Sequence, residues 1–142
     1  MEKLHSLLMK SHLLLQKEIL FKAGEIGLTP GQPKILEYLA SAKEADQKTI
    51  AKNCLIEPAT VGRILLGMEK GGLITRRNKE NNRRSRFVSL TDMGEEFTRE
   101  LKWIFSKADD SAMAELTPEE RETLLLLLEK VGSTLAKKES TK

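Results

Sequence analysis

Gln47 to Thr91 reads QKTIAKNCLIEPATVGRILLGMEKGGLITRRNKENNRRSRFVSLT. Ile50 and Ala51 give a short helix, 47–53, its apolar side, with Asp46 placed to cap it. A tight turn around Leu55–Glu57 follows. Pro58 suits the first position of a second helix, 58–70, which stops at Gly71-Gly72. Its apolar residues Val61, Ile64, Leu65 and Met68 recur at helical spacing, while Ala59, Thr60, Gly62, Arg63 and Gly67 fall on the other face. Leu73–Arg77 and Arg86–Leu90 then alternate as strands do. Asn81-Asn82 suits the turn between them.

Helix, turn, helix and basic hairpin, in that order, predict a winged helix–turn–helix. Such a unit places its second helix in a DNA major groove and its hairpin in the neighbouring minor groove. Charge supports this reading. Residues 57–90 carry 8 basic and 3 acidic side chains, whereas 91–142 carry 8 basic and 12 acidic. Positive charge concentrated on one helix and hairpin is the footprint a phosphate backbone selects. Thr60 and Arg63 are expected to contact bases, arginine being suited to guanine O6 and N7. Pro58, Ala59 and Thr60 stand at a helix N-terminus, whose free amides attract phosphate. Gln47, Lys48, Arg76 and Arg77 are expected at phosphates, positioning the protein without reading sequence. Arg84, helped by Arg83 and Arg86, is expected in the minor groove.

The rest of the chain is helical by pattern. Leu4, Leu7, Leu8, Leu14, Leu15 and Ile19 give an apolar stripe over residues 3–23. Thr29, Pro30 and Gln32 predict a capping box opening a helix that ends near Ser41. Lys43–Asp46 reads as a polar connector. Thr91-Asp92 starts a helix running to about Ala108, and Thr117, Pro118 and Glu120 form another capping box ahead of a helix over 118–136. The tail 137–142 is expected to fray. The fold class is therefore mainly α with a small β-wing. The predicted divisions are a dimerisation helix, 1–28, a winged helix–turn–helix, 29–91, and C-terminal dimerisation helices, 92–142. Five consecutive leucines, Leu124–Leu128, face every side of their helix. A homodimer in which terminal helices of two chains pack together is expected, with the two-fold symmetry a palindromic operator requires.

Several classes are disfavoured. There is no Gly-rich phosphate loop, paired-histidine metal motif or nucleophile signature, so neither an enzyme nor a cofactor is expected. His5 and His12 are about 10 Å apart along a helix, too far to share one metal ion within a chain. No apolar run reaches the length of a membrane span. The single cysteine, Cys54, fits a reducing cytoplasm.

The ordered set Leu28-Thr29-Pro30, Thr49-Ile50-Ala51, Pro58–Arg63, Met68–Arg76 and Asn82–Thr91 resembles the MarR family of bacterial transcription regulators. The resemblance covers Leu28 to Glu96 by motif and the whole chain by architecture. It implies a dimeric DNA-binding regulator, a repressor above all. It also implies a small-molecule site where the dimerisation helices meet the winged helix. His12, Phe21, Pro33, Tyr38, Phe97 and Trp103 are candidates to line it, with core packing the favoured role for each. The chain departs from the family pattern at several positions. Asn82 replaces the acid of the wing's Asp-x-Arg, with Arg84 at the arginine position. Leu55 stands where glycine is common, Gly62 where a larger residue is common, and Cys54 where a buried leucine is usual. The alternatives are a winged helix used for protein contact and a redox- or metal-responsive regulator.

Overall fold

The computed structural model describes residues 1–79 and 82–141, without the side chains of 79 and 82–85. The chain forms two compact units, Met1–Ala108 and Asp109–Lys142. In the first, α1 (Leu4–Glu25) leads to α2 (Gln32–Ala42), β1 (Glu44–Asp46), α3 (Gln47–Cys54) and α4 (Pro58–Lys70). Then come β2 (Ile74–Lys79), β3 (Asn82–Leu90) and α5 (Asp92–Ala112). α6 (Pro118–Ser140) belongs to the second unit. Among the described residues no helix is long and apolar enough to cross a membrane.

The core of the first unit takes Ile35, Leu36 and Leu39 from α2, Ile50 from α3, and Val61, Leu65 and Met68 from α4. Ile74 and Val88 come from the strands and Leu101 from α5. Each fully buried aliphatic side chain contributes roughly 1.5–3 kcal/mol. This shared core fixes α3 and α4 against one another and against the sheet. Ile64, expected among the buried residues of α4, is only half-buried.

Three local findings correct the sequence reading. The second helix begins at Gln32, two residues later than the capping pattern implies. The Gln32 side chain does accept the Thr29 amide at 3.0 Å, as a capping box requires. Gly31, however, sits at φ +92°, and a Cβ there would collide with the Ile64 side chain of α4. Packing between the two segments thus holds residues 29–31 in a turn. Residues 44–46, read as a connector, form β1, antiparallel to β3 with Ala45 opposite Val88. The sheet order is β1-β3-β2. Finally, α6 continues to Ser140, into the segment expected to fray.

Elsewhere the local signals act as read. α4 ends in a Schellman motif: Leu73 donates to the Met68 carbonyl at 2.9 Å and Gly72, at φ +79°, to that of Glu69 at 3.1 Å. Thr91 caps α5 by accepting the Gly94 amide at 3.0 Å, while its hydroxyl donates to the Gly72 carbonyl at 2.6 Å. That pair ties the exit of the hairpin to the exit of α4. In the second unit, Thr117 and Glu120 form both bonds of the predicted capping box.

Candidate nucleic-acid interface

The α3–α4 pair is built by short-range chemistry. Asp46 accepts the Thr49 amide at 2.8 Å and so caps α3. Hydrogen bonds from Thr49, side chain then backbone, hold the Asp46 carboxyl below its usual range, and Lys48 adds to this. At the other end of α3, Leu55 takes the left-handed conformation, φ +56°. Ile56 donates across it to the Ala51 carbonyl at 3.0 Å. The Leu55 amide also donates to the Ala51 carbonyl, whereas Gly72 at the end of α4 donates to Glu69, so this is a left-handed turn with leucine in the place glycine usually takes, and it turns the chain into α4.

Gln47, expected at a phosphate, spans the two helices instead. Its Nε2 donates to the Pro58 carbonyl at 3.1 Å. A Cβ on Gly62 would stand 3.0 Å from the same nitrogen. Gly62 therefore leaves room for the Gln47 side chain. Its neighbour Lys48 is exposed.

α4 divides cleanly. Val61, Leu65 and Met68 are fully buried, whereas Pro58, Ala59 and Arg63 are exposed and Thr60 is half-exposed. Arg63 Nη2 lies 3.5 Å from Thr60 Oγ1, so the two expected base contacts meet on one face. Leu66 and Lys70 are also exposed there. Their spacing from Ala59 and Arg63 (i, i+4, i+7, i+11) is the signal in the sequence that marks them.

The wing's arginines part company. Arg77 is 73% exposed, with Nη2 3.8 Å from Glu44 of β1. Arg86, opposite Asn78 on β2, is exposed. Arg76, expected at a phosphate, retains only 14% side-chain exposure, with Nε 3.6 Å from the Glu69 carboxylate of α4. Alternation along β2 puts Arg76 and Arg77 on opposite faces, and the Arg76 face meets α4. Arg76 thus joins the wing to the helix, and the exposed cation of the pair is Arg77. The side chains of Arg83 and Arg84 and the turn at Asn81 lie outside the described residues.

The six residues expected to line an effector site differ in their exposure. His12, Phe21 and Trp103 are exposed, Pro33 is buried, and Tyr38 and Phe97 are half-buried among the core. A cleft of about 460 Å³ lies elsewhere, between α2, β3 and α5, and contains none of them. It is lined by Leu39 and Leu90 together with Lys43, Arg99, Lys102 and Glu95. Among the described residues no cluster of His, Cys, Asp or Glu could hold a metal ion. Cys54 is buried, with its thiol directed at the Lys34 carbonyl 3.8 Å away. Burial pushes that thiol up, away from the thiolate a redox sensor needs; Lys34 opposes the shift and Glu37 adds to it.

Two helices joined by a tight turn, a half-buried ion pair from the second to a basic hairpin, and a capped helix after it define a winged helix–turn–helix protein. The MarR family model matches residues 28–85. The Escherichia coli homoprotocatechuate degradative operon repressor is 31% identical over 103 residues, 72% of this chain and 69% of that one. The chain belongs to the MarR family of transcriptional regulators. A putative MarR family regulator of Listeria monocytogenes, solved with 26mer DNA, superposes with a TM-score of 0.88 at 20% identity, over 97% of this chain and 92% of that one. Bordetella bronchiseptica BpsR, whose DNA binding is regulated by 6-hydroxynicotinic acid, gives 0.83 at 22% identity, over 92% and 99%.

Proposed function

We propose that the chain is a sequence-specific repressor that binds a pseudo-palindromic operator as a homodimer. The observation that carries this is the exposed face of α4, where Thr60 and Arg63 stand together at the N-terminal half of a helix whose other side is core. An arginine there has the reach and donor geometry for guanine. Lys48, Arg77 and Arg86, exposed around it, suit phosphates. In the sequence, Arg83 and Arg84 add two more cations to the hairpin. The repressor assignment follows the name of the Escherichia coli relative.

Selection of binding sites from a random duplex pool, at two salt concentrations, tests the reading. A two-fold symmetric site is expected, with affinity falling steeply as salt rises. Arg84→Ala is expected to weaken that binding strongly at fixed salt with the dimer intact. A pool that enriches no sequence would overturn the repressor reading and favour a protein partner.

Release by a small molecule follows the regulation of BpsR. The cleft between α2, β3 and α5 is a second candidate for its site, beside the six residues the resemblance implies. Three cations against one carboxylate, beside Leu39 and Leu90, fit a small organic anion with an apolar body. Benzoate titrated into the operator complex is expected to release DNA, and Arg99→Ala to blunt the release. Equal release from both proteins would place the effector elsewhere.

A further inference from the structure

We infer that Leu66 is a specificity-determining residue that reads the C5 methyl group of a thymine in the operator. The inference rests on α4 being the helix that reads bases. Ala59, Arg63, Leu66 and Lys70 fall at i, i+4, i+7 and i+11 and form one stripe opposite the buried Val61, Leu65 and Met68. Leu66 is 47% exposed, so the core of its own unit does not hold it.

What surrounds Leu66 limits its occupant. Arg63 and Lys70 stand one turn before and one turn after it, and no carboxylate lies on the stripe. Glu69, to one side, is engaged by Arg76. Gly67 presents no side chain. An apolar group framed by two cations matches a duplex, whose phosphates meet the cations and whose major groove holds one apolar feature, the thymine methyl. Leucine cannot hydrogen-bond to the donors and acceptors of other base edges, and covering them would strip their water without replacement. Ala59 to Leu66 spans about 10.5 Å along the helix axis, roughly three base steps. The stripe is thus long enough for Arg63 and Leu66 to meet different base pairs of one half-site.

The test uses the full chain and the sites it selects. Each dT of a selected site is replaced singly by dU, which removes only the methyl. One position per half-site is expected to weaken wild-type binding about fourfold, the worth of a buried methyl. Leu66→Ala is expected to bind the dT and dU duplexes equally, with unchanged dimer mass and circular dichroism. Indifference of the wild-type protein to every replacement would overturn the inference without help from any variant. So would a dU penalty that persists undiminished in Leu66→Ala. Arg63→Ala separates the two levels. If it changes the selected sequence while residue 66 has no effect, α4 reads bases and only the Leu66 role falls. If neither Arg63→Ala nor Thr60→Ala changes the sequence, α4 is not the reading helix and both fall, leaving a protein partner for the stripe.

Discussion

Leu55 bears a conformation that costs an ordinary residue roughly 1–2 kcal/mol, and at 86% exposure it recovers little by packing. The cost is met by what the turn achieves: the Ile56–Ala51 bond and the entry of α4 at the required angle. Asp46 stabilises the same pair from the other end. Its carboxyl titrates below the ordinary range in the folded state, so its stabilisation is complete above the unfolded value, about 3.9. It is lost as pH falls through the lower folded value. Asp46→Ala is therefore expected to cost about 1 kcal/mol at neutral pH, a typical N-cap loss. In urea unfolding the gap between the two proteins should narrow as pH falls below that unfolded value. A gap of constant size down to pH 2 would show that the carboxylate charge is not what caps α3. The placements of Thr60 and Arg63 on one exposed face and of Asp46 as the cap of α3 were legible because each depends on neighbours within one helical turn. Those of Gln47 and Arg76 were not, because their partners, Pro58 and Glu69, sit on a different element from each.

At the scale of elements, boundaries set by local chemistry were readable and those set by contact were not. α4 runs from Pro58 to Lys70 as its proline and its Gly-Gly stop indicate. β1 escaped because three residues carry too little alternation to signal a strand; only pairing with β3 makes 44–46 extended. Likewise, Gly31 reads as an innocent member of a capping box until Ile64 is seen against it. Gly94 is the sharpest case. It lies in the first turn of α5, where alanine would ordinarily help the helix, yet a Cβ there would run into the Leu73 carbonyl. That carbonyl is fixed, since it accepts the Thr91 amide at 3.0 Å. Gly94→Ala is expected to destabilise by about 1–3 kcal/mol, the scale of overpacking, despite the better helix propensity. Thermal unfolding measures this directly. A variant as stable as the wild type would mean that α5 can shift away from the start of the wing at no cost.

At the scale of the whole molecule, the terminal helices carry large apolar side chains that are exposed. α1 buries Ala23 alone, while Leu7, Leu14 and Phe21, seven residues apart and so on one side, are each more than 40% exposed. α6 buries nothing, and Leu124, Leu125, Leu126, Leu127, Leu128 and Leu135 are all exposed. Large apolar side chains exposed along one side of a helix mark an interaction surface. Leu124, Leu128 and Leu135 lie at i, i+4 and i+11, the spacing of a helix that packs lengthwise on another. We therefore expect wild-type protein to elute at the mass of two chains. Leu124→Lys combined with Leu128→Lys should yield the mass of one, by adding two charges to the packing stripe. Two half-sites bound through one dimer raise each other's local concentration, worth about 10²–10⁴ in affinity. Operator affinity of the double variant should fall by that factor, while its affinity for an isolated half-site stays within twofold of the wild type. The second measurement separates loss of pairing from loss of the fold, because α3 and α4 draw their core from residues before Ala108. A double variant that keeps the dimeric mass would remove α6 from the interface. A wild-type protein of monomeric mass that still selects a two-fold site would mean that DNA itself assembles the pair.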